Sequence, residues 1–217
     1  TAHFTHPPLR PTTHAYGTRQ QPHSSSCGSN SSGYIPGQIA TAYNLNGLYT
    51  AGFQGDGQTI ALFELDDYLD SDISTYISCY GKSSALINRI SVDGGTGNPP
   101  GAGAIEVELD MELVLSAAPP LASLEVYEAP NSPSGVLDEW SKIISDNTAS
   151  VISTSWGTCE ASATSSFATL ENNIFMTAAA QGQTIFAAAG DTGSNDCQYP
   201  TPTPPSVDDP ASQPYVT

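Results

Sequence analysis

Residues 105–112 carry four carboxylates interleaved with apolar side chains. On a helix, positions i and i+4 share a face, so Glu106 would lie beside Asp110. The same spacing would place Glu108 beside Glu112. Like charges at this spacing destabilise an isolated helix by roughly 0.2–0.5 kcal/mol per pair, but two neighbouring carboxyls can also share a proton. The segment therefore predicts acid–base chemistry suited to low pH, and its spacing does not choose between the two pairs.

The same segment could instead form a solvated acidic helix face or a calcium site. Acidic helix faces usually include lysines, whereas the nearest basic residues here are Arg89 before the segment and Lys142 after it. A calcium site of the EF-hand type would need a glycine-turn loop, which the segment lacks. We therefore favour a proton-sharing pair that serves as a general base.

Asp191 lies in the segment Gly-Asp-Thr-Gly-Ser, residues 190–194. Aspartic proteases carry an Asp-Thr-Gly triplet, but they are largely β and need two of them, and this chain has one. The segment is also typical of an ordinary turn after a strand. In the functional interpretation a sharp turn directs Asp191 into a cleft, where its protonated form donates a hydrogen bond to a developing oxyanion.

Two further segments follow apolar strands and could contribute to a site. The backbone of Ser155, Trp156 and Gly157 could pair with an extended peptide while the indole braces the site, although a plain strand end with a core Trp is the simpler interpretation. Glu64 also follows an apolar strand, where on its own it would be an ordinary strand-terminal acid.

The composition limits the classes of partner. The 217 residues include 22 Asp and Glu against 5 Lys and Arg, for a net charge of −17. Nucleic acid and anionic membranes are poor partners for such a surface, so we expect neither. The acidity also fits a solubility device, but a low charged fraction of 12% favours a secreted, extracellular protein. Because the chain starts at Thr1 without a signal-peptide core, we expect it to have been processed.

The four histidines are all in the first 33 residues, at His3, His6, His14 and His23. A histidine-based triad or metal site in the remaining chain is therefore excluded, unless the N-terminal segment folds back into it.

The four cysteines form no Cys-x-x-Cys pair, so we predict no metal site and expect two disulfides formed in an oxidising compartment. Three pairings are possible, and we favour Cys27–Cys79 with Cys159–Cys197. The first would tie the N-terminal segment to the body, and the second would tie two loops that follow neighbouring strands.

The remaining pattern predicts an extended arm over residues 1–33 and a body over residues 34–217. Pro and Ser residues keep the arm from forming regular helix. In the body, strands alternate with helices, which predicts an α/β fold with a mostly parallel sheet flanked by helices on both faces. The predicted strands are 59–64, 86–92, 123–127, 151–155 and 184–189, and the predicted helices are 70–80, 104–118, 134–147 and 165–182. In such sheets functional groups collect beyond the carboxyl ends of the strands, where residues 64–67, 155–157 and 190–194 would lie.

Together these segments resemble the sedolisin (serine-carboxyl peptidase) family. Its members are acid endopeptidases with a subtilisin-like fold, made as proenzymes and secreted or lysosomal. The resemblance covers residues 34–217 in the family's order, as the N-terminal part of the peptidase domain. The matching motifs are residues 34–36 (YIP), 39–43 (IATAY), 55–61 (GDGQTIA), 106–110 (EVELD), 127–131 (YEAPN), 153–157 (STSWG), 187–194 (AAAGDTGS) and 210–216 (PASQPYV).

The resemblance implies a role for each candidate residue. The family pattern Glu-x-x-x-Asp makes Glu106 the general base and Asp110 its orienting partner. Asp191 matches the oxyanion-hole aspartate. Glu64 and Trp156 match outer members of a hydrogen-bond chain behind the catalytic glutamate.

One family feature is missing from this sequence. The nucleophile of the family is a serine in a Ser-Gly-Thr-Ser-x-x-x-Pro motif well downstream of residues 210–216, and the calcium site lies in the same part. Ser194 is no substitute, because it would sit on the oxyanion turn. We therefore expect that a C-terminal chain of the same precursor supplies the serine and the calcium, and that this chain binds no calcium itself. A truncated or inactive fragment is the alternative interpretation.

Two functions from different classes stay open on the sequence alone. A two-carboxylate glycosidase would need carboxyls about 5–9.5 Å apart across an open cleft, and aromatic platforms for sugars are scarce. An inactive, acidic, secreted binding module would retain the same residues without turnover.

Overall fold

The computed structural model describes residues 10–11, 27, 34–80, 83–97, 99–197 and 204–217. The predicted arm over residues 1–33 lies outside the described residues, apart from Arg10, Pro11 and Cys27. None of the helices in the described part of the chain combines the length and hydropathy that a bilayer-spanning segment needs.

Strands and helices alternate along the body. The helices are α1 (Pro36–Ala42), α2 (Leu45–Thr50), α3 (Asp70–Tyr80), α4 (Ala104–Ala117), α5 (Pro133–Asp146) and α6 (Ser165–Gln181). The strands are β1 (Arg10–Pro11), β2 (Thr59–Glu64), β3 (Leu86–Ser91), β4 (Ser123–Glu128), β5 (Val151–Thr154), β6 (Trp156–Cys159), β7 (Thr184–Ala187) and β8 (Asp208–Asp209). Every predicted element is present within two residues at each end, whereas α1, α2, β1, β6 and β8 were not predicted. These five elements are short, and segments of that length carry too little periodicity to be recognised.

Five of these strands form one parallel sheet in the order β3-β4-β2-β5-β7. The central strand β2 pairs with β4 along its whole length and with β5 from Ile60 to Leu62. At the β7 edge, Val216 forms an isolated parallel bridge with Ile185. The carboxyl ends of β2, β4 and β5 therefore open on the same edge of the sheet.

Helices cover this sheet from two sides. On β2, Phe63 stacks on Trp140 of α5 with ring centroids 4.3 Å apart. The next residue, Glu64, interacts with Asp110 of α4 instead. Because successive side chains on a strand point to opposite faces, α4 and α5 lie on opposite sides of the sheet. The predicted α/β class with a mostly parallel sheet is confirmed.

The three remaining strands form a small sheet in the order β1-β6-β8. Arg10 and Pro11 pair antiparallel with Gly157 and Trp156. On the other edge of β6, the strand β8 also pairs antiparallel. The segment that follows β5 is therefore itself a strand, held on both edges.

Both predicted disulfides are present. Cys27 bonds to Cys79 near the end of α3, and Cys159 at the end of β6 bonds to Cys197. The second bond fastens the loop that follows Asp191 to the strand β6.

Two acids are buried together between α6 and β8. Glu171 and Asp209 are each 1% exposed, and Gln213 Nε2 donates to Asp209 Oδ1 at 2.7 Å. Burial raises the pKa of Glu171 well above its ordinary value, and its hydrogen bond to Asp209 and the Asp209 charge raise it further. Glu171 therefore keeps a proton that it donates to Asp209.

We expect Glu171→Gln to make the protein more tolerant of neutral pH. A carboxyl with a raised pKa binds its proton more tightly in the folded state, so its contribution to stability is complete in acid and is lost as the pH rises. The Gln amide still donates to Asp209 but needs no proton. Thermal unfolding should show a similar Tm for variant and wild type at about pH 4 and a higher Tm for the variant at about pH 7. An equal difference at both pH values would contradict the shared proton.

Candidate active site

Glu106 and Asp110 lie one turn apart on α4 and face the protein, not the solvent. Glu106 is 2% exposed, and Asp110 is half-buried. Asp110 Oδ1 accepts a hydrogen bond from Ser155 Oγ at 2.9 Å. Burial raises the pKa of Asp110 to about 7, with the Ser155 hydrogen bond opposing and the Glu106 charge adding to the shift. The charge of Glu106 therefore acts on the proton affinity of Asp110.

The second pair on α4 has different surroundings. The amide of Leu69 donates to Glu108 Oε1 at 3.3 Å, so Glu108 points towards the start of α3. Burial raises the pKa of Glu112 to about 7, and the charges of Glu108 and Asp72 raise it further. The structure thus connects Glu106 and Asp110 with the residues after β5, and it places Glu108 and Glu112 beside α3.

Glu64 extends the Glu106–Asp110 pair inward. Its side chain is fully buried, and Glu64 Oε2 accepts the indole N–H of Trp156 at 2.7 Å. Burial and the charge of Asp110 raise the pKa of Glu64 well above its ordinary value, although the Trp156 hydrogen bond opposes this. Among the described residues, no donor reaches Glu64 Oε1 or Asp110 Oδ2. Glu64 and Asp110 therefore act on each other through their charges.

Asp66 holds the loop that leads into α4. Its two carboxylate oxygens accept the amides of Gly101 and Gly103 at 2.9 and 2.8 Å. These amides precede the first turn of α4, where a negative charge also complements the helix dipole. At Gly103 a Cβ would lie 2.6 Å from Trp156 Cη2, so the absence of a side chain there lets the indole reach Glu64.

The segment after β5, residues 155–157, contacts both the buried acids and an extended segment of the N-terminal arm. Ser155 contributes its hydroxyl to Asp110, and Trp156 contributes its indole to Glu64. Gly157 is buried within β6, and a Cβ there would lie 3.2 Å from Asp208 Oδ2. One edge of β6 carries the antiparallel segment formed by Arg10 and Pro11. The strand thus links the buried acids to a place where extended backbone is bound.

The Asp191 turn interacts with Asp208 of β8, the strand that pairs with β6. Gly190 has φ +96°, and the amide and hydroxyl of Thr192 both donate to Asp196 Oδ1 at 3.1 Å. Burial raises the pKa of Asp208 to about 7, with a hydrogen bond to Asp196 and the charges of Asp196 and Asp191 adding to the shift. Asp191 itself is exposed. The structure therefore links Asp110 and Glu64 to Ser155 and Trp156. It brings the charge of Asp191 close to Asp208, which pairs with β6.

Sequence reasoning missed one buried acid near this path. Glu139 of α5 is fully buried and accepts the amide of Glu64 at 2.9 Å. The signal was present, because Glu139 falls on the apolar side of α5, between Val136 and Ile143. A lone acid at such a position has to find a partner in the core.

We expect Gly103→Ala to displace the Trp156 ring. The new methyl would overlap the indole and the Asp66 carboxylate, and overpacking of this kind costs about 1–3 kcal/mol. Denaturant unfolding should show the loss, with a changed near-UV circular dichroism spectrum. Gly37→Ala is the matched control, because Gly37 lies in helix α1 with no atom within 4 Å of an added Cβ. If the two variants were equally stable, the close contact between Gly103 and Trp156 would be disproved.

Comparison with known proteins relates this geometry to characterised enzymes. No protein-family model matches the chain. Kumamolisin from Bacillus sp. (strain MN-32) is 38% identical over 189 residues, which cover 84% of this chain and 33% of that protein. Sedolisin from Pseudomonas sp. (strain 101) is 32% identical over 197 residues, covering 85% of this chain and 33% of that protein. The chain thus spans about a third of the length of these curated relatives.

A solved structure is similar over the same part of the chain. Pseudomonas sedolisin, a serine-carboxyl proteinase complexed with two molecules of pseudo-iodotyrostatin, matches with a TM-score of 0.70 and 27% identity. The match covers 85% of this chain and 52% of that structure. The predicted subtilisin-like fold is therefore confirmed by a structural relative.

Proposed function

Because this chain belongs to the sedolisin family of serine-carboxyl peptidases, we propose that it is the N-terminal part of the catalytic domain of a secreted acid endopeptidase. The observation that carries this proposal is the buried Glu106–Asp110 pair, which is joined to β6 by the hydroxyl of Ser155. The proposal concerns a reaction that this chain performs together with a serine from outside this sequence.

The proposed reaction is acyl transfer. The serine hydroxyl attacks the peptide carbonyl while Glu106 takes the hydroxyl proton. Asp191, in its protonated form, donates a hydrogen bond to the oxyanion of the tetrahedral intermediate. Glu106 then passes its proton to the leaving amine, and the acyl-enzyme forms. Water then attacks the acyl-enzyme and releases the serine, with Glu106 again acting as the base.

Low pH is required because one carboxyl must be ionised while another is protonated. Glu106 must be ionised to act as a base, whereas Asp191 must keep its proton to act as a donor. Asp110 holds Glu106 in place and tunes the proton affinity of the pair, supported by the raised pKa of Asp110. A histidine base would be fully protonated in the acid conditions that keep Asp191 neutral.

A peptide substrate would bind by strand addition to β6. Arg10 and Pro11 already occupy one edge of this strand as extended, antiparallel backbone. Main-chain hydrogen bonds to Trp156 and Gly157 would hold a substrate in the same way, after this segment has left. This binding mode recognises the main chain of the substrate, as an endopeptidase requires.

Three further parts of the proposal concern the setting of the enzyme. A C-terminal chain of the same precursor supplies the serine and the calcium ligands, as the resemblance to the sedolisin family implies. We assign no step to calcium. Secretion into the extracellular space fits the two disulfides, which persist in oxidising compartments. The strongly negative surface gives no reason to expect nucleic acid or membranes as partners.

An assay of the intact protein on denatured protein and on polysaccharide at about pH 4 separates the candidate functions. Cleavage of protein alone supports the peptidase. Cleavage of polysaccharide alone would support the two-carboxylate glycosidase. Activity on neither substrate would support an inactive binding module.

We expect Glu106→Gln to abolish peptide hydrolysis in the intact enzyme with little change in Tm. The amide is similar in size but cannot accept the serine proton. Glu112→Gln is the matched control, because Glu112 is a half-buried acid on the same helix but lies beside α3. The Glu112→Gln enzyme should retain its peptidase activity. An active Glu106→Gln enzyme would end the assignment of the base, and loss of activity in the control alone would move it to the other pair.

We expect Asp191→Ala to lower kcat by roughly 10²–10³, as removal of a single oxyanion donor does. KM for the peptide should change little, because the donor acts on charge that develops only in the transition state. Steady-state kinetics on the intact enzyme measure both values. A loss in kcat below about threefold would argue that Asp191 only shapes the turn.

A further inference from the structure

Glu139 is a buried acid that the proposed mechanism does not use. It has no exposed surface, and it lies on α5, on the opposite side of the sheet from α4. Its Oε1 accepts the amide of Glu64 at 2.9 Å, and the carbonyl of Glu64 accepts the amide of Ala129 at 3.3 Å. Glu139 thus holds the carboxyl end of β2, which is itself bonded to the residue that follows β4.

The hydrogen bond of Glu139 acts at the residue that supports the Glu106–Asp110 pair. Glu64 is the last residue of β2, and its side chain meets Trp156 and Asp110. Glu128 pairs with Glu64 at the end of the ladder, and the amide of Ala129 donates to the Glu64 carbonyl at 3.3 Å. The hydrogen bond from the Glu64 amide to Glu139 is a further restraint on the backbone that carries the Glu64 carboxyl.

The charges around Glu139 come from two strands. Glu64 faces it from β2 and Glu128 from β4, and Glu128 Oε1 is 3.4 Å from Arg89 Nη1. Glu64 in turn meets Asp110 and Glu106 from α4 and the indole of Trp156 from β6. Burial and the Glu128 charge raise the pKa of Glu139 well above its ordinary value, although its backbone hydrogen bonds oppose this. Glu139 and Glu64 therefore titrate as interacting groups.

We propose that Glu139 is a positioning residue for the Glu106–Asp110 pair, which it orients from across the sheet by holding the backbone of Glu64. The role of Glu139 in catalysis rests on the proposed function, whereas its effect on Glu64 does not. Glu139 acts through Glu64, whose carboxyl accepts the indole N–H of Trp156 and whose charge acts on Asp110.

Two substitutions separate the contributions of Glu139. Glu139→Gln keeps an oxygen for the Glu64 amide but removes the ionisable group. Glu139→Ala removes both and leaves the buried amide without its acceptor. Glu125→Gln is the control, because Glu125 is an acid on β4 that also accepts two hydrogen bonds, from Asn88 and Ser123, near the opposite end of the strand.

The first test needs no catalytic activity. Carboxyl titrations by ¹³C NMR on the intact protein should show the Glu64 midpoint falling by on the order of one pH unit in Glu139→Gln, because a like charge has been removed. Hydrogen exchange of the Glu64 amide should stay slow in Glu139→Gln and become roughly tenfold faster or more in Glu139→Ala. The control should leave the Glu64 midpoint and amide exchange unchanged.

Unchanged midpoints of Glu64 and Asp110 in Glu139→Gln would overturn the proposal. An equally protected Glu64 amide in a folded Glu139→Ala would also overturn it. If Glu139→Ala does not fold, the titration of Glu139→Gln decides alone.

The second test uses the pH profile of the intact enzyme. In Glu139→Gln the upper pH limit of kcat should move down, because Glu64 then loses its proton at lower pH and its negative charge acts on Asp110. KM for the peptide should be unchanged, because β6 is untouched. A purely structural role would lower kcat at every pH, and that result would count against the proposal. A wild-type enzyme without peptidase activity would overturn the proposed function, and the titration would still decide the role of Glu139.

Discussion

Protons, more than cations, stabilise the buried carboxyl groups of this protein. Arg89 lies 3.4 Å from Glu128, but burial still raises the pKa of Glu128 to about 7, with the Arg89 charge opposing the shift. Burial likewise raises the pKa of Glu64, Glu139 and Glu171 well above the ordinary value. A buried carboxylate without a partner is costly, whereas a protonated carboxyl can donate to a neighbouring acid. The same physical constraint thus favours both folding and acid–base chemistry at low pH.

The parallel sheet brings these acids together. Because β2, β4 and β5 end on one edge, the residues that follow them converge there, although they are far apart in sequence. Glu64 and Asp66 come from the end of β2, and Ser155 and Trp156 come from the end of β5. Helix α4 packs over this edge, where Asp66 holds the loop before its first turn. Each acid of the site is therefore placed by backbone that the sheet has already fixed.

Much of this arrangement could be predicted from the chain. The strands and long helices have clear periodicity, and the pairing of the cysteines that was favoured among three possible ones is confirmed. The strand β6 was interpreted only as a segment that could bind a peptide, because four residues show no usable alternation. Glu139 was overlooked, because an acid on a helix is normally assigned to solvent, and only its place on the apolar side indicated burial.

The sequence by itself determined which segments form strands and helices, their alternation along the chain, and the four carboxylates of one helix. These features depend on local spacing and hydropathy. Helix spacing left open which pair of carboxylates faces the site, and the family resemblance selected Glu106 and Asp110. Only the tertiary structure gives the two pairs different surroundings: Ser155, 45 residues away, contacts Asp110, whereas the amide of Leu69 contacts Glu108. The physical reason is that a helix presents both pairs equally well, and only the surfaces packed against it determine which acids lose water and share a proton.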